Sequence, residues 1–263
     1  MGGDNWVRSL GLDTDGSLFV EIENGIRLYD LCLNDPLPQA VNIHPRDLMR
    51  AENRHLYQGF LKTLKEIDGV IIHSAYDAGY MAEKGDVVVD AGARIGSFAV
   101  KIARAVGMEG RVIAIEPEPR NYACLLKNIE CNRLTNVTAV QRMLWSRNQS
   151  LDLYLSSNSA AHSAYRDPFY GSSGASLRTE AETLDNILER VGIDSVDFVK
   201  MDIEGAEVEA FKGMERILQS EVQLAVAAYH PVDGTLTHTE LVYRLEQLGF
   251  EAVYEEGIVR ARR

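Results

Sequence analysis

The chain has 263 residues, 46% apolar and 25% charged, enough for one generous domain with a full hydrophobic core. Its 39 acidic against 27 basic side chains leave a formal charge of −12, which argues against a broad surface for nucleic acid or anionic membrane. No apolar run reaches the roughly eighteen residues of a membrane span, the start MGGDNWVRSLG lacks a signal-peptide core, and Cys32, Cys124 and Cys131 lack metal-ligand spacing, so reduced thiols in a cytoplasmic protein are expected.

In chain order, the first elements are two short strand runs, SLFVEIENG and IRLYDL, separated by Asn24-Gly25, a hairpin signal. A polar, helix-favouring stretch follows from Arg46 to about Ile67. Residues 1–75 therefore read as an accessory region of hairpin and helix, a cap or a substrate-shaping extension. From Asp86 to about Val140 strand and helix patterns alternate: VVVDAG, a helix over SFAVKIARAV, RVIAIEPE, a helix over RNYACLLKNIECN, then VTAVQRML. Mostly apolar strands alternating with helices imply a parallel sheet covered on both faces.

Residues 156–176, SSNSAAHSAYRDPFYGSSGAS, break the rhythm and read as a long loop, either a surface insertion or a lid. The alternation then resumes with a helix over AETLDNILERVG, the strand VDFVKMD and a helix over EVEAFKGMERILQ. The strand VQLAVAAYH, a helix over HTELVYRLEQLG and a closing hairpin, FEAVYEE-G-IVRARR, complete the chain.

A doubly wound sheet binds its ligand at the carboxyl ends of its strands, where the strand order reverses. The dinucleotide fingerprint Gly-x-Gly-x-x-Gly would begin at Gly92, but Arg94 and Ser97 stand at the second and third glycine positions. An arginine is a poor fit where backbone must approach a pyrophosphate. About twenty residues on, Glu116 in RVIAIEPE can accept hydrogen bonds from both hydroxyls of a ribose. Adenosine is supported and pyrophosphate is not. S-adenosyl-L-methionine (SAM) meets both conditions; the cofactor of an NAD-binding oxidoreductase does not.

The blocks GDVVVDAGARIGSF, AIEPEPRNYACLLKNIECN, VDFVKMDIEGAEVEAFKGM and LAVAAYHP resemble, in that order, the FkbM-type family of SAM-dependent methyltransferases. The resemblance runs from about Tyr76 to the C-terminus, and KMDIEGAE is its most specific part. It implies an α/β fold, a Rossmann-like class I methyltransferase with a seven-stranded doubly wound sheet whose last strand is antiparallel. That sheet would occupy residues 76–263, with residues 1–75 as a small N-terminal α+β extension, and its last strand matches the terminal hairpin. The resemblance further implies O-methylation of a hydroxyl on a sugar, lipid or secondary metabolite. Arg94 stands where the family commonly has Asn, so its side chain is not expected to touch the cofactor.

On this reading Asp90, Gly92, Ala93 and Gly96 form the turn beneath the methionine arm, where small residues admit the backbone and a helix N-terminus offers free N–H groups. Glu116 clamps the ribose, Pro117 and Asn121 flank the adenosine, and Met143 and Leu144, closing the third strand, line the adenine. Tyr76 closes over the cofactor. Methyl transfer needs its acceptor positioned and relieved of a proton. The candidates are Asp202 at the end of VDFVKMD, Glu204 two residues on, Lys200 on the strand face of Asp202, and His230 at the end of LAVAAYH. A neutral His230 imidazole, helped by Asp202, is the expected base.

Asp202, Glu204 and His230 could also hold a divalent ion, which the resemblance does not require, and no metal is expected. Asp167-Pro168-Phe169-Tyr170 resembles the Asp-Pro-Pro-Tyr signature of amino-group methylation but falls in the loop, away from the fourth strand. An amino- or RNA-directed methyltransferase and a SAM-binding module without catalysis stand as alternatives. The expected partner is a small-molecule, glycan or lipid hydroxyl acceptor; an oligomer is compatible with the sequence.

Overall fold

The computed structural model describes residues 7–15, 17–32, 41–42, 63–73, 75–156, 160–166 and 172–263. Strands β1 (Val7–Leu12), β2 (Ser17–Ile22), β3 (Arg27–Cys32) and β4 (Val41–Asn42) form an antiparallel sheet ordered β3-β2-β1-β4. The β2–β3 turn falls on Asn24-Gly25 as predicted. Gly25 takes φ +79°, and the Asn24 side-chain oxygen accepts the Ile26 N–H at 3.0 Å. Most of the helix predicted from Arg46, residues 46–62, lies outside the described residues. Its far end continues into a π-helical stretch, Ile67–Ile72, whose Ile67 and Ile71 pack under β1 and β2.

The predicted alternation then appears: β5 (Val87–Ala91), α1 (Ser97–Val106), β6 (Arg111–Ile115), α2 (Pro119–Cys131) and β7 (Val137–Val140). Three strands follow, β8 (Met143–Leu144), β9 (Gln149–Ser156) and β10 (Ser172–Glu182). Next come α3 (Leu184–Arg190), β11 (Phe198–Met201), α4 (Glu207–Phe211), β12 (Gln223–Ala227) and a small hairpin of β13 (Pro231–Val232) and β14 (Thr235–Leu236). The chain closes with α5 (Thr237–Gln247), β15 (Glu251–Glu255) and β16 (Ile258–Arg262).

Seven of these strands make one sheet, ordered β15-β16-β12-β11-β5-β6-β7. Neighbours from β12 to β7 pair in parallel, and β16 runs antiparallel to both β12 and β15. This is the expected doubly wound α/β sheet with an antiparallel last strand. Adjacent residues of one strand serve opposite faces. Val88 and Val112 pack with Phe98, Ile102 and Leu125, whereas Val89 and Ile113 pack with Leu184, Leu188 and Leu241. Burial on both faces is why these strands read as continuous apolar runs. The chain winds from β5 outward to β7, then returns to β11 on the other side of β5. The helices that follow β5 and β11 pack on opposite faces of the sheet, which is where a doubly wound sheet opens its crevice. No helix among the described residues is long and apolar enough to cross a membrane.

Several predicted boundaries shift. The loop expected over residues 156–176 is partly a hairpin: β9 ends at Ser156, Tyr154 bridges to Ser163, and β10 begins at Ser172. The Asp167–Tyr170 motif lies outside the described residues. Because β10 is mostly small, polar and half exposed, it carries no alternating apolar signal. The helix predicted from Ala181 starts only at Leu184. Ala181 and Glu182 instead extend β10 to pair with Met143 and Leu144, and the Thr183 hydroxyl caps the helix by accepting the Asn186 N–H at 3.2 Å. Met143 and Leu144 therefore form a strand of their own in a second sheet and do not close β7. The helix predicted over residues 207–219 stops at Phe211.

Candidate active site

After β5 the backbone turns sharply through residues 92–96 into α1. Gly92 has φ +74°, and a Cβ there would lie 1.8 Å from the Asp202 carbonyl oxygen, so only glycine lets this turn rest against the end of β11. Asp90 is fully buried beneath it, paired with the Lys200 ammonium at 2.9 Å and accepting the Ala99 N–H at 3.1 Å. Lys200 also donates to the Gly92 and Ala91 carbonyls at 2.8 and 3.3 Å. Lys200, expected beside Asp202 among the catalytic groups, secures the turn and also lines the cleft with Asp202. A buried ammonium is stable only when it is paired and hydrogen-bonded in this way. Gly96 faces Leu125, so it shapes the turn without lining the cleft.

Glu116 follows β6 and is 5% exposed. One carboxylate oxygen accepts the Arg94 N–H at 2.9 Å; the other accepts the Glu118 N–H at 3.0 Å and the Asn121 side-chain amide at 3.4 Å. Burial pushes its pKa up to about 7 against the pull of those donors. Gly92, Glu116, Pro117, Asn121, Met143 and Leu144 line one section of the cleft. The residues expected around an adenosine are thus brought together. A second section, lined by Tyr76, Ala93, Ser97 and Lys200, shares Gly92, Arg94, Ala160 and Asp202 with the first. Asp90 lies below both.

A charged cluster closes the cleft at the end of β11. The Tyr76 hydroxyl donates to Asp202 at 2.6 Å. The Nε2 atom of His230 lies 3.4 Å from a Glu204 oxygen and 3.8 Å from an Asp202 oxygen. On the other side of the ring, Nδ1 lies 2.9 Å from Glu207, and His230 and Glu207 are both fully buried. His230 sits three residues beyond β12 and not at its end. Burial by itself would lower the imidazole pKa, but the hydrogen bond and charge of Glu207, then Asp202 and Glu204, lift it to about 9. Burial and the neighbouring Asp202 raise Glu204 to about 8, although His230 pulls the other way. The carboxyl groups around the ring thus favour its protonated form, against the neutral imidazole expected from the sequence.

Glu207 was not among the residues the sequence singled out, although it lies in KMDIEGAE. Its signal is the spacing: it accepts the Gly205 and Ile203 N–H groups at 3.1 and 3.3 Å, closing the bend that carries Glu204. Glu204 itself takes φ +56° there. Ligand atoms of Asp202, Glu204 and His230 lie within 4.8 Å of one another, close enough to share a divalent cation. The segment 160–166 forms a wall of the same cleft. The Ser163 hydroxyl donates to the Glu204 carbonyl at 2.6 Å, and Ala160, His162 and Ala164 line the cavity.

The chain matches the model of the methyltransferase FkbM domain over residues 90–252. It is 27% identical over 192 residues to methyltransferase sdnD of Sordaria araneosa, covering 62% of this chain and 73% of that protein. It is 26% identical over 198 residues to 31-O-demethyl-FK506 methyltransferase FkbM of Streptomyces tacrolimicus, covering 65% and 75%. The crystal structure of methyltransferase FkbM from Methylobacillus flagellatus shares the fold, with a TM-score of 0.51 at 20% identity. That match covers 70% of this chain and 45% of the crystallised one.

Proposed function

From the premise that this chain belongs to the FkbM methyltransferase family, we propose that it transfers a methyl group from SAM to a hydroxyl of a small-molecule, glycan or lipid acceptor in the cytoplasm. The observation that carries the reading is the cleft itself. A glycine turn that admits no side chain, a buried acid at the end of the next strand and a proton-accepting cluster at the end of β11 all open into one space.

The residues suit the cofactor's parts. Glu116 would receive the ribose hydroxyls, Met143, Leu144 and Leu153 offer apolar contact to a base, and the turn at Gly92 and Ala93 lets backbone approach the amino-acid arm. Bound there, SAM supplies a methyl group already activated by its sulfonium. The chain must then orient an acceptor oxygen and take its proton. We assign that proton to Glu204. A carboxyl group raised to about 8 is, once ionised, a stronger base than an ordinary carboxylate. His230, tied to Glu207 through Nδ1, turns Nε2 toward Glu204 and Asp202 and favours their ionised forms when it is protonated. Tyr76 directs its hydroxyl at Asp202 and keeps that carboxylate turned toward the cleft.

Titration calorimetry with SAM, S-adenosylhomocysteine and NAD tests the cofactor. The first two should bind and NAD should not, because the ribose acid is present and the pyrophosphate turn is absent. Tight NAD binding without SAM binding would end the proposal. Transfer of labelled methyl to a panel of hydroxylated, amino and RNA acceptors would then identify the acceptor atom.

A further inference from the structure

Two buried polar ties join the third strand of the N-terminal sheet to the turn after β5. The first is ionic. Arg94 is 8% exposed, and its guanidinium lies 2.8 Å from the Asp30 carboxylate of β3. It also pairs with Glu66, which in turn accepts the Ser97 hydroxyl at the start of α1. The second tie is neutral. Asn128 of α2, fully buried, accepts the Tyr29 N–H at 2.6 Å and donates to the Tyr29 and Ile95 carbonyls at 2.9 and 2.7 Å. Successive residues of β3, Tyr29 and Asp30, are thus linked to successive residues of the turn, Ile95 and Arg94. The Arg94 N–H, meanwhile, is one of the donors that hold Glu116.

We infer that β3 positions the cofactor turn. The Asp30–Arg94–Glu66 pairing and the Tyr29–Asn128–Ile95 bridge together hold Arg94 in place and so aim its N–H at the ribose acid. Arg94 has φ +50°, a left-handed conformation that a side-chain-bearing residue keeps only where its surroundings over-determine it. A guanidinium clamped between buried Asp30 and half-buried Glu66 provides that constraint, because moving it would strand the buried Asp30 charge. Arg94 is on this view a positioning residue: its guanidinium serves β3 while its backbone serves Glu116. The described part of the N-terminal region then completes the cofactor site, whatever else it does for the acceptor. The inference rests on the SAM reading given above.

Calorimetry of the full-length chain with S-adenosylhomocysteine, well below each variant's melting temperature, tests it. Asp30→Asn keeps the shape of the side chain and removes the ion pair, so Kd should rise roughly tenfold, the scale of coupling through a packed network. Arg94→Lys keeps a cation beside Asp30 but not the fork that also reaches Glu66, so its Kd should rise as well, by less than that of Asp30→Asn, and an unchanged Kd would count against the inference. A junction that only stabilises the fold would lower the melting temperature of Asp30→Asn and leave Kd of the folded protein unchanged, and that result would overturn the inference. Should Asp30→Asn fail to fold, Glu66→Gln at the margin of the same junction takes its place, with the same rise expected and the same constancy fatal. A wild-type chain that does not bind S-adenosylhomocysteine would overturn the cofactor reading itself, an outcome distinct from equal binding by wild type and variants.

Discussion

A Glu207 carboxylate oxygen lies 2.9 Å from Nδ1 of His230, both side chains fully buried, so the ring meets Asp202 and Glu204 through Nε2. The ring thus stands among three carboxyl groups that favour its protonated form, and the cluster's stability follows that proton. The folded pKa of His230, about 9, exceeds its ordinary 6.5. The extra stability is therefore fully present below about pH 6.5 and is lost as pH rises through about 9. Glu204, raised from 4.5 to about 8, acts in the same direction, since the folded state again holds the proton more tightly. Denaturant unfolding should show stability falling from about pH 4.5, where Glu204 begins to contribute, to about pH 9, with His230 contributing on the order of 3 kcal/mol between about pH 6.5 and about pH 9. His230→Gln should flatten much of that slope. A wild type equally stable at both ends would contradict the buried imidazolium.

The proton acceptor has its own signature. With Glu204 as base, the rate should climb with pH through about 8 and level off above it, because the carboxylate must be ionised to work. Glu204→Gln should lower kcat by about 10²–10⁴-fold while S-adenosylhomocysteine still binds. His230→Gln removes a cation that favours ionised Glu204, so the midpoint of the profile should move upward. A midpoint near 6.5 that vanishes in His230→Gln would return the base to the imidazole.

Binding of the cofactor should respond to two positions on adjacent strands. Glu116→Ala should weaken SAM by about 1–3 kcal/mol, the usual cost of losing a charge-assisted hydrogen-bond partner. Gly92→Ala places a methyl group on the Asp202 carbonyl, so the turn must open and binding should be lost. Calorimetry on folded variants, checked by circular dichroism, decides both; undiminished affinity in Glu116→Ala would remove the ribose acid from the proposal.

Proton transfer to Glu204 requires no cation, although Asp202, Glu204 and His230 could chelate one. Turnover should therefore be unchanged by excess chelator and by magnesium added back. Activity lost to chelator and restored by magnesium would make these residues metal ligands and reassign the role of Glu204.

The order of strands and helices along the sheet was legible because it is written locally. Strands buried on both faces, such as VVVDA and RVIAI, leave unbroken apolar runs, and the helices between them carry their own periodicity. Gly92 and Glu116 were legible for a related reason: the turn and the acid belong to one strand–helix–strand unit, so their spacing in sequence fixes their meeting in space. The β9–β10 hairpin was not legible, because its mostly polar residues pack little, and only the end of β10 is held further, by Met143 and Leu144. Lys200 shares a strand face with Asp202, as alternation requires, yet only the packing of β11 against β5 shows that its ammonium is bound to Asp90 and the turn carbonyls. Glu207 and the charge of His230 lay furthest from view. The residue types are plain in KMDIEGAE and AAYH, but a side chain's pKa is set by how much water is removed from it and which charges stand within a few ångströms. Those quantities belong to the assembled crevice, where segments far apart in the chain meet, so the sequence by itself could name the groups and only the tertiary structure could decide which of them holds the proton.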